Sequence, residues 1–579
     1  MSGIVYDGDL AGVGVRSSRV GHRVSHATGR KQRGFSLTDE SIWLRITTAK
    51  STPDDLGHMS KRVLLINTPY PYEECPVPPL GLAYLAGILR REKVDVRILD
   101  LLMARYSPDL LRRELREFQP HIVGATCSTI NFKAASRILR LCKNFDSGMV
   151  TLIGGPHASF VAADLIEKAS WIDVVVMGEG DQTVVELVKS LEDGSDLAEV
   201  AGIAFRRNGR AVVNAPRPLI KDLDSLPLPA RDLLPVSKYR ALRVPFTVIT
   251  SRGCPFGCIF CSAPKMFGRG VRYRNPKLVV DEIEMIHREL GFNEINIVDD
   301  TFTVKEPHVQ AICQGMRDRN LKITWSVYSR VDTINPRMLN TMREAGCNWV
   351  CFGLESGSQK ILDTIKKRIT TDKSREGIKM AIDSGLNVLA SFILGLPGED
   401  PETAGQTVSL AKELFDTYKV SYGFHLLAPM PGTEVRERAD EYGIRKLTHN
   451  WSRYNANRPV AETTTFSAGQ MMDIVHAYEH DVSEAWVEMQ KQAKCGDAAL
   501  QARVDKGDTQ GFVWKLLSQG GIEQLGNSGR SEAELAMAVS QKLGVSKGLA
   551  KREIRRLVSE GNLTCAPVPG EKHPVWKWA

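Results

Sequence analysis

Short apolar runs alternate with amphipathic stretches over residues 61–190. The runs RVLLINTP (62–69), DVRILD (95–100), HIVGATC (121–127), MVTLIGG (149–155) and IDVVVMGEG (172–180) predict strands buried on both faces. Between them, PLGLAYLAGILRRE (79–92), SPDLLRRELREF (107–118), 131–144, a stretch near 160–169 and DQTVVELVKSLED (181–193) have the helical period. Ser107-Pro108 reads as a helix start. This alternation predicts a doubly wound parallel sheet, which binds ligands beyond the carboxyl ends of its strands. Small and polar residues collect at those ends: NTP (67–69), CST (127–129), GGPHAS (154–159) and GEGD (178–181).

Residues 200–222 read as short strands around RRNGRA, a hairpin signal, and LDSLPLPARDLLP (223–235) as a Pro-rich linker. A second α/β run follows, with strands at 246–251, 294–300, 323–330, 349–356, 387–397 and 420–429 and helices between them, among them 276–290 and 372–385. This predicts a partial or full β/α (TIM-like) barrel whose site lies at the C-terminal strand ends. Residues 465–495 read as helical. Three helices at 509–521, 531–544 and 546–563, then a hairpin at 564–579, make a winged-helix-like pattern. Its third helix carries Lys547, Lys551, Arg552, Arg555 and Arg556, which suits a DNA-reading helix or equally a solvated face on a protein-docking module. The expected organisation is therefore 1–58 a disordered extension, 59–197 the first α/β domain, 198–240 hairpin and linker, 241–450 the barrel, 451–505 a helical extension and 506–579 the winged-helix-like domain.

Composition narrows the class. Hydrophobic residues at 42% and charged residues at 25% describe a globular chain, and a net charge of +8 over 579 residues does not by itself point to nucleic acid. No run of about eighteen apolar residues marks a membrane span, and the N-terminus lacks a signal-peptide apolar core. These features predict a cytoplasmic protein. Residues 1–58 are rich in Ser, Arg and Gly; a chain beginning at Met59 would lose no recognisable element, and an Arg-rich targeting peptide is the alternative reading.

Eleven cysteines are scattered along the chain, which is not a disulfide framework. Only Cys254, Cys258 and Cys261 are close, in TSRGCPFGCIFCSAPK (250–265), just after the first barrel strand. Thiolates take zinc or iron–sulfur clusters. A structural zinc site wants four ligands, and no second pair or suitably spaced His stands nearby. Three cysteines on a cubane leave one iron open to a ligand. The motif closely resembles that of the radical S-adenosylmethionine (SAM) superfamily.

The resemblance covers about 241–445 and implies a [4Fe-4S] cluster on the three cysteines, with SAM chelated at the open iron and cleaved by one electron to a deoxyadenosyl radical. A flavodoxin or ferredoxin would be the electron donor. Phe260, the aromatic before the third cysteine, is implied to pack near the adenine. VDDTF (298–302) fits the second-strand position, and SVYSR ends in Arg330, implied to meet the SAM carboxylate or a ribose hydroxyl. FGLESGS (352–358) puts Gly353, Glu355 and Ser356 at a strand end where the family contacts SAM. FILGLPGED (392–400), with Gly395, resembles the glycine motif along the adenine, and LAPMPGTEV (427–435) the final-strand motif.

The first domain resembles the cobalamin-binding domain that precedes the barrel in one class of the same superfamily. That implies cobalamin contacts from Thr68, Pro69, Ser128, Thr129, Gly154, Gly155, Pro156, His157, Gly178, Glu179 and Gly180, with Gly154 and Gly155 admitting the nucleotide tail. The family's Asp-x-His-x-x-Gly motif for a lower cobalt ligand is missing, so His157 reads as a loop or phosphate contact rather than a ligand. The leading expectation is a methyltransferase acting on an unactivated carbon. The alternative within the class resembles the anaerobic magnesium-protoporphyrin monomethyl ester cyclase, with PVPPLGLAYLA (76–86) as a shared motif. An iron–sulfur- or cobalamin-sensing DNA-binding regulator is the alternative from another class. Methylthiolation would want a second cluster, for which Cys75, Cys127 and Cys142 are dispersed in sequence.

Overall fold

The structure is a computed structural model that describes residues 61–69, 76–526, 529–568 and 573–579. The expected extension 1–58 and Cys75 lie outside the described residues.

The first sheet contains β1 (Arg62–Asn67), β2 (Asp95–Asp100), β3 (Ile122–Thr126), β4 (Val150–Gly154), β5 (Val174–Val176), β6 (Ile203–Arg207) and β7 (Arg210–Val213), in the order β2-β1-β3-β4-β5-β6-β7. The first five are parallel. Their apolar runs are continuous because both faces are covered. Leu64 and Ile66 face helices 108–118, 132–145 and 162–168, while Val63 and Leu65 face helices 80–91 and 180–193. Ser107 caps its helix as expected, accepting from Leu110 N at 3.1 Å. The hairpin β6–β7, expected as part of the connecting segment, pairs antiparallel with β5 and extends this sheet. The order reverses between β1 and β3, so the loops after Asn67 and Thr126 flank the switch point where doubly wound sheets bind ligands.

The second unit contains β8 (Phe246–Val248), the short antiparallel pair β9 (Ser251–Arg252) and β10 (Arg272–Tyr273), and then β11 (Glu294–Ile297), β12 (Thr324–Ser329), β13 (Cys347–Glu355), β14 (Asn387–Leu394) and β15 (Ser421–Leu426). Six of them form an all-parallel sheet in sequential order, β15-β14-β13-β12-β11-β8. Helix 468–494, capped by the Ser467/Gln470 box, lies on the β15 edge. Met471 and Val475 pack on Leu394 and Leu426, and Tyr478 donates to Tyr422 O at 2.6 Å.

Helix 498–518 runs through the boundary expected at 505/506, followed by helices 532–543 and 547–559 and the last hairpin, Leu563–Ala566 with Val575–Trp578. Ile554 and Leu557 of helix 547–559 are buried. Of its basic residues only Arg556 is substantially covered, pairing with Glu553 and Glu560; Arg552 pairs with Asp505 and Glu553 and Arg555 lies 3.7 Å from Glu532, but both are exposed, as are Lys547 and Lys551. Arg556 also donates to Ala241 O and Ser237 to Ala579 O, so this unit is docked on the linker. Among the described residues no helix is long and apolar enough to cross a membrane.

Candidate functional site

The three cysteines form the tip of a hairpin. The chain leaves β8, passes through β9, makes the 254–261 loop and the short helix 263–267, and returns through β10, where Arg272 pairs with Arg252. Asp299, just past β11, fixes the base of this loop: its buried carboxylate accepts from Thr250 N (2.6 Å), Thr250 Oγ1 (2.5 Å) and Ser251 Oγ (2.7 Å). Gly253 has φ +106°, and a Cβ there would lie 2.7 Å from Gly270 O, so only glycine lets the two arms approach. Ile259 N donates to Ile365 O, which ties the loop to the 365–368 turn.

Each sulfur has a polar neighbour: Thr301 Oγ1 at 3.8 Å from Cys254, Arg330 Nη1 at 3.9 Å from Cys258 and Ala263 N at 3.4 Å from Cys261. Burial pushes the Cys261 thiol up to about 11 and raises that of Cys258, which the Lys367 and Arg330 cations oppose. Among the described residues no three metal-ligating side chains converge on a single-ion site. The donor set still fits a polynuclear cluster, whose thiolates each bind a different iron and stand further apart than the ligands of one ion.

Arg330, expected at the SAM carboxylate or a ribose hydroxyl, lies against this loop. Its guanidinium lies 3.7 Å from the Phe256 ring centroid, is held by Asp332 through two 2.9 Å bonds and donates to Lys367 O. Lys367 carries no sequence motif that would have singled it out. Its Nζ is 2.7 Å from Glu355 Oε1 in a buried pair. Glu355 takes up φ +67° at a register shift between β13 and β14. A Cβ at Gly353 would fall 2.3 Å from Glu355 Oε1, so the glycine makes room for the pair. Phe260 is partly buried against the core.

Two residues expected at SAM have their side-chain directions taken up within the protein. Ser356 is fully buried, its hydroxyl engaged with Thr407 Oγ1 (3.0 Å) and Ser358 N (3.1 Å), so it braces the turn. Gly395, at φ +83°, faces Met471, whose Sδ would be 2.9 Å from a Cβ there, so helix 468–494 closes that side. The turn is held by Glu399, which accepts from Gly395 N and Leu396 N. Burial raises the Glu399 carboxyl to about 8. The folded state then holds a proton that the unfolded chain releases near its ordinary value, so stability falls as pH rises from about 4.5 to about 8 and levels off above that. Urea unfolding across this range should show E399Q free of this loss, on the order of a few kcal/mol.

At the N-terminal strand ends the expected residues gather. Asn131 joins Thr68 Oγ1 (2.9 Å), Ser128 N (2.8 Å) and Ser128 Oγ (3.1 Å) across the switch point. Pro69 is the last described residue before position 70, and the next described residue is Pro76. Gly155 has φ +97°, and a Cβ would lie 2.6 Å from Cys127 O. The protein's own neighbouring loop thus already requires glycine at 155, while a Cβ at Gly154 would make only ordinary contact. Pro156 opens the short helix 156–160, which carries His157. His157 is 1% exposed, packed between Phe132 (4.7 Å) and the edge of Trp451 (5.1 Å), with Nδ1 3.3 Å from Thr129 Oγ1. Burial lowers it to about 4, so it is neutral, and its buried Nε2 has no partner among the described residues. An orphaned buried nitrogen at the strand ends is what a polar ligand would satisfy.

The carboxylate of Glu179, a residue expected at cobalamin, is engaged within the protein. Oε1 accepts from Arg272 Nη2 (2.8 Å) and Arg252 Nη1 (3.4 Å), and Oε2 accepts from Arg272 Nη1 (2.8 Å) and Ile220 N (3.0 Å). A carboxylate accepts about four hydrogen bonds, so none is left for a cofactor. Its neighbours Gly178 and Gly180 shape the loop: Gly178 has φ +68° and its N donates to Ser159 Oγ, and Gly180 begins helix 180–193.

Residues 248–411 match the family model described as the radical SAM superfamily, and residues 74–188 the model described as the B12 binding domain. The chain is 38% identical over 399 residues to an uncharacterized methyltransferase of Pyrococcus horikoshii, covering 69% of this chain and 86% of that one. It is 31% identical to the anaerobic magnesium-protoporphyrin IX monomethyl ester cyclase of Rubrivivax gelatinosus, covering 69% and 72% of the two chains. In fold it resembles a radical S-adenosylmethionine methyltransferase of Kitasatospora setae, solved with cobalamin and a [4Fe-4S] cluster, with TM-score 0.62, 19% identity and coverage of 86% and 100%.

Proposed function

The chain belongs to the cobalamin-binding radical SAM superfamily, and from that premise we propose that it methylates an unactivated carbon of its substrate. The protein is a radical SAM enzyme whose cofactors are a [4Fe-4S] cluster, SAM and cobalamin. When bound, the cluster and SAM supply a carbon-centred radical initiator, and cobalamin supplies a methyl carrier. In this reading the six parallel strands are staves of a partial β/α barrel and the C-terminal unit is a winged-helix-like brace on the linker.

Cys254, Cys258 and Cys261 hold the cluster, and the Lys367 and Arg330 cations stabilise the thiolate of Cys258. Arg330, Phe260 and the Glu355–Lys367 pair border the space next to the loop. Thr68, Ser128, Thr129 and the 154–157 turn face the second cofactor. Neutral His157 offers Nε2 to it, and Trp451 and Phe132 keep water from that ring. The sequence carries no Asp-x-His-x-x-Gly motif, so the residues that would hold cobalamin are those of the strand-end loops, where it would serve as a methyl carrier.

The observation that supports this reading is the contact between the base of the cysteine loop and the first domain. Arg252, two residues before Cys254, is bonded to Asp181 and Glu179 at the strand ends of the cobalamin domain. The deciding experiment is anaerobic reconstitution with iron, sulfide and hydroxocobalamin, followed by dithionite and methyl-labelled SAM. The expected result is retained cobalamin, 5′-deoxyadenosine formation and label on cobalamin. Deoxyadenosine without label on cobalamin would favour the oxidative cyclisation that the 31% identical relative suggests. A protein that takes up neither cofactor would refute the reading.

A further inference from the structure

The cysteine hairpin is gripped at its base by the other domain. Arg252 on β9 and Arg272 on β10 are cross-strand partners, so two guanidinium groups stand side by side. Their side chains are 11% and 13% exposed. Facing them are Glu179, 3% exposed, and Asp181, 6% exposed, at the start of helix 180–193. Asp181 receives two bonds from Arg252, at 2.8 and 3.3 Å, and Glu179 receives bonds from both arginines. Arg272 reaches back to Phe267 O (2.9 Å) and Ile220 O (2.7 Å), and Arg252 lies 5.5 Å from the Tyr84 ring centroid.

A buried ion network of this kind adds little net stability over apolar packing, because four desolvated charges offset their mutual attraction. What it fixes is geometry, since planar guanidinium forks accept carboxylates in few orientations. Here the geometry fixed is that of the cysteine loop relative to the cobalamin domain. We infer that Glu179 and Asp181 are positioning residues that set the cluster loop in register with the cobalamin-binding face. This inference rests on the cofactor reading above. A misplacement of about 1 Å between reacting partners can cost about a hundredfold in rate, so two cofactors on separate domains need such a tie.

The test uses the full chain loaded with cluster and cobalamin, both reduced to their paramagnetic states, and reads the magnetic coupling between them by electron paramagnetic resonance. Wild type is expected to give one discrete coupled spectrum. E179Q/D181N keeps the side-chain shapes but removes both charges. It should keep its iron and cobalamin content within about twofold of wild type while the coupling broadens into a distribution of separations. R252K, which keeps the charge but loses the fork, should fall between the two. Full cofactor content with an unchanged spectrum in E179Q/D181N overturns the inference and leaves the functional reading standing. Wild type without cobalamin overturns both. Should the double variant lose its cluster outright, the single variants E179Q and R252K decide the matter by the same spectrum, unchanged coupling in both refuting the inference.

Discussion

Alanine at Cys254, Cys258 or Cys261, taken singly, should leave a folded chain without an iron–sulfur chromophore after anaerobic reconstitution. Reductive SAM cleavage should fall by more than about three orders of magnitude, or about 4 kcal/mol of transition-state stabilisation. The three thiols belong to one loop and each is a free cysteine, so two cannot hold what three hold. The loop itself should survive, because its shape comes from Asp299 on Thr250 and Ser251, from Gly253 and from the β9–β10 pair, none of which uses a thiol. C495A serves as control: Cys495 is exposed and far along the chain from the loop, and its removal should leave both iron content and cleavage unchanged. A C258A protein that keeps its iron and cleaves SAM at the wild-type rate would overturn the assignment of the site.

The strands were legible because their cause is local. Val63 to Ile66 are apolar at every position, and a strand covered on both faces needs that whatever lies on top of it. The cysteine spacing was legible because no packing requirement brings three thiols together. The ion partners of Glu179 were illegible for the opposite reason. Its loop carries the right residues at the right strand end, but its partners Arg252 and Arg272 lie 73 and 93 positions away and belong to the other domain. The neighbours of Ser356 and Gly395, Thr407 and Met471 of helix 468–494, were illegible in the same way. Lys367 left no mark in the sequence because a lysine after a short helix is ordinary, and only the fold carries it to Glu355 and Cys258. The hairpin β6–β7 was recognised as a hairpin, but its place as a continuation of the first sheet depends on pairing with β5, which local pattern does not encode.

K367M should separate what the Glu355–Lys367 pair does for the fold from what the lysine does for the cluster. The two side chains are 6% and 9% exposed, so removing the lysine leaves a desolvated carboxylate beside Cys258 and Cys351. Breaking a buried pair on one side costs about 3–5 kcal/mol, and urea unfolding of the apoprotein should show a loss of that size. The double variant E355Q/K367M removes the uncompensated charge and should recover most of that loss, since a neutral pair of similar volume in a buried site is near neutral in stability. Iron retention should not recover with it. Lys367 is the leading cation opposing the burial that disfavours the Cys258 thiolate, and that help is absent in both variants. The expected pattern is therefore a stable double variant that loses iron to a chelator faster than wild type, with K367R close to wild type in both measurements. Wild-type iron retention in E355Q/K367M would reduce Lys367 to a partner of Glu355, placed there to let β13 end in a left-handed residue.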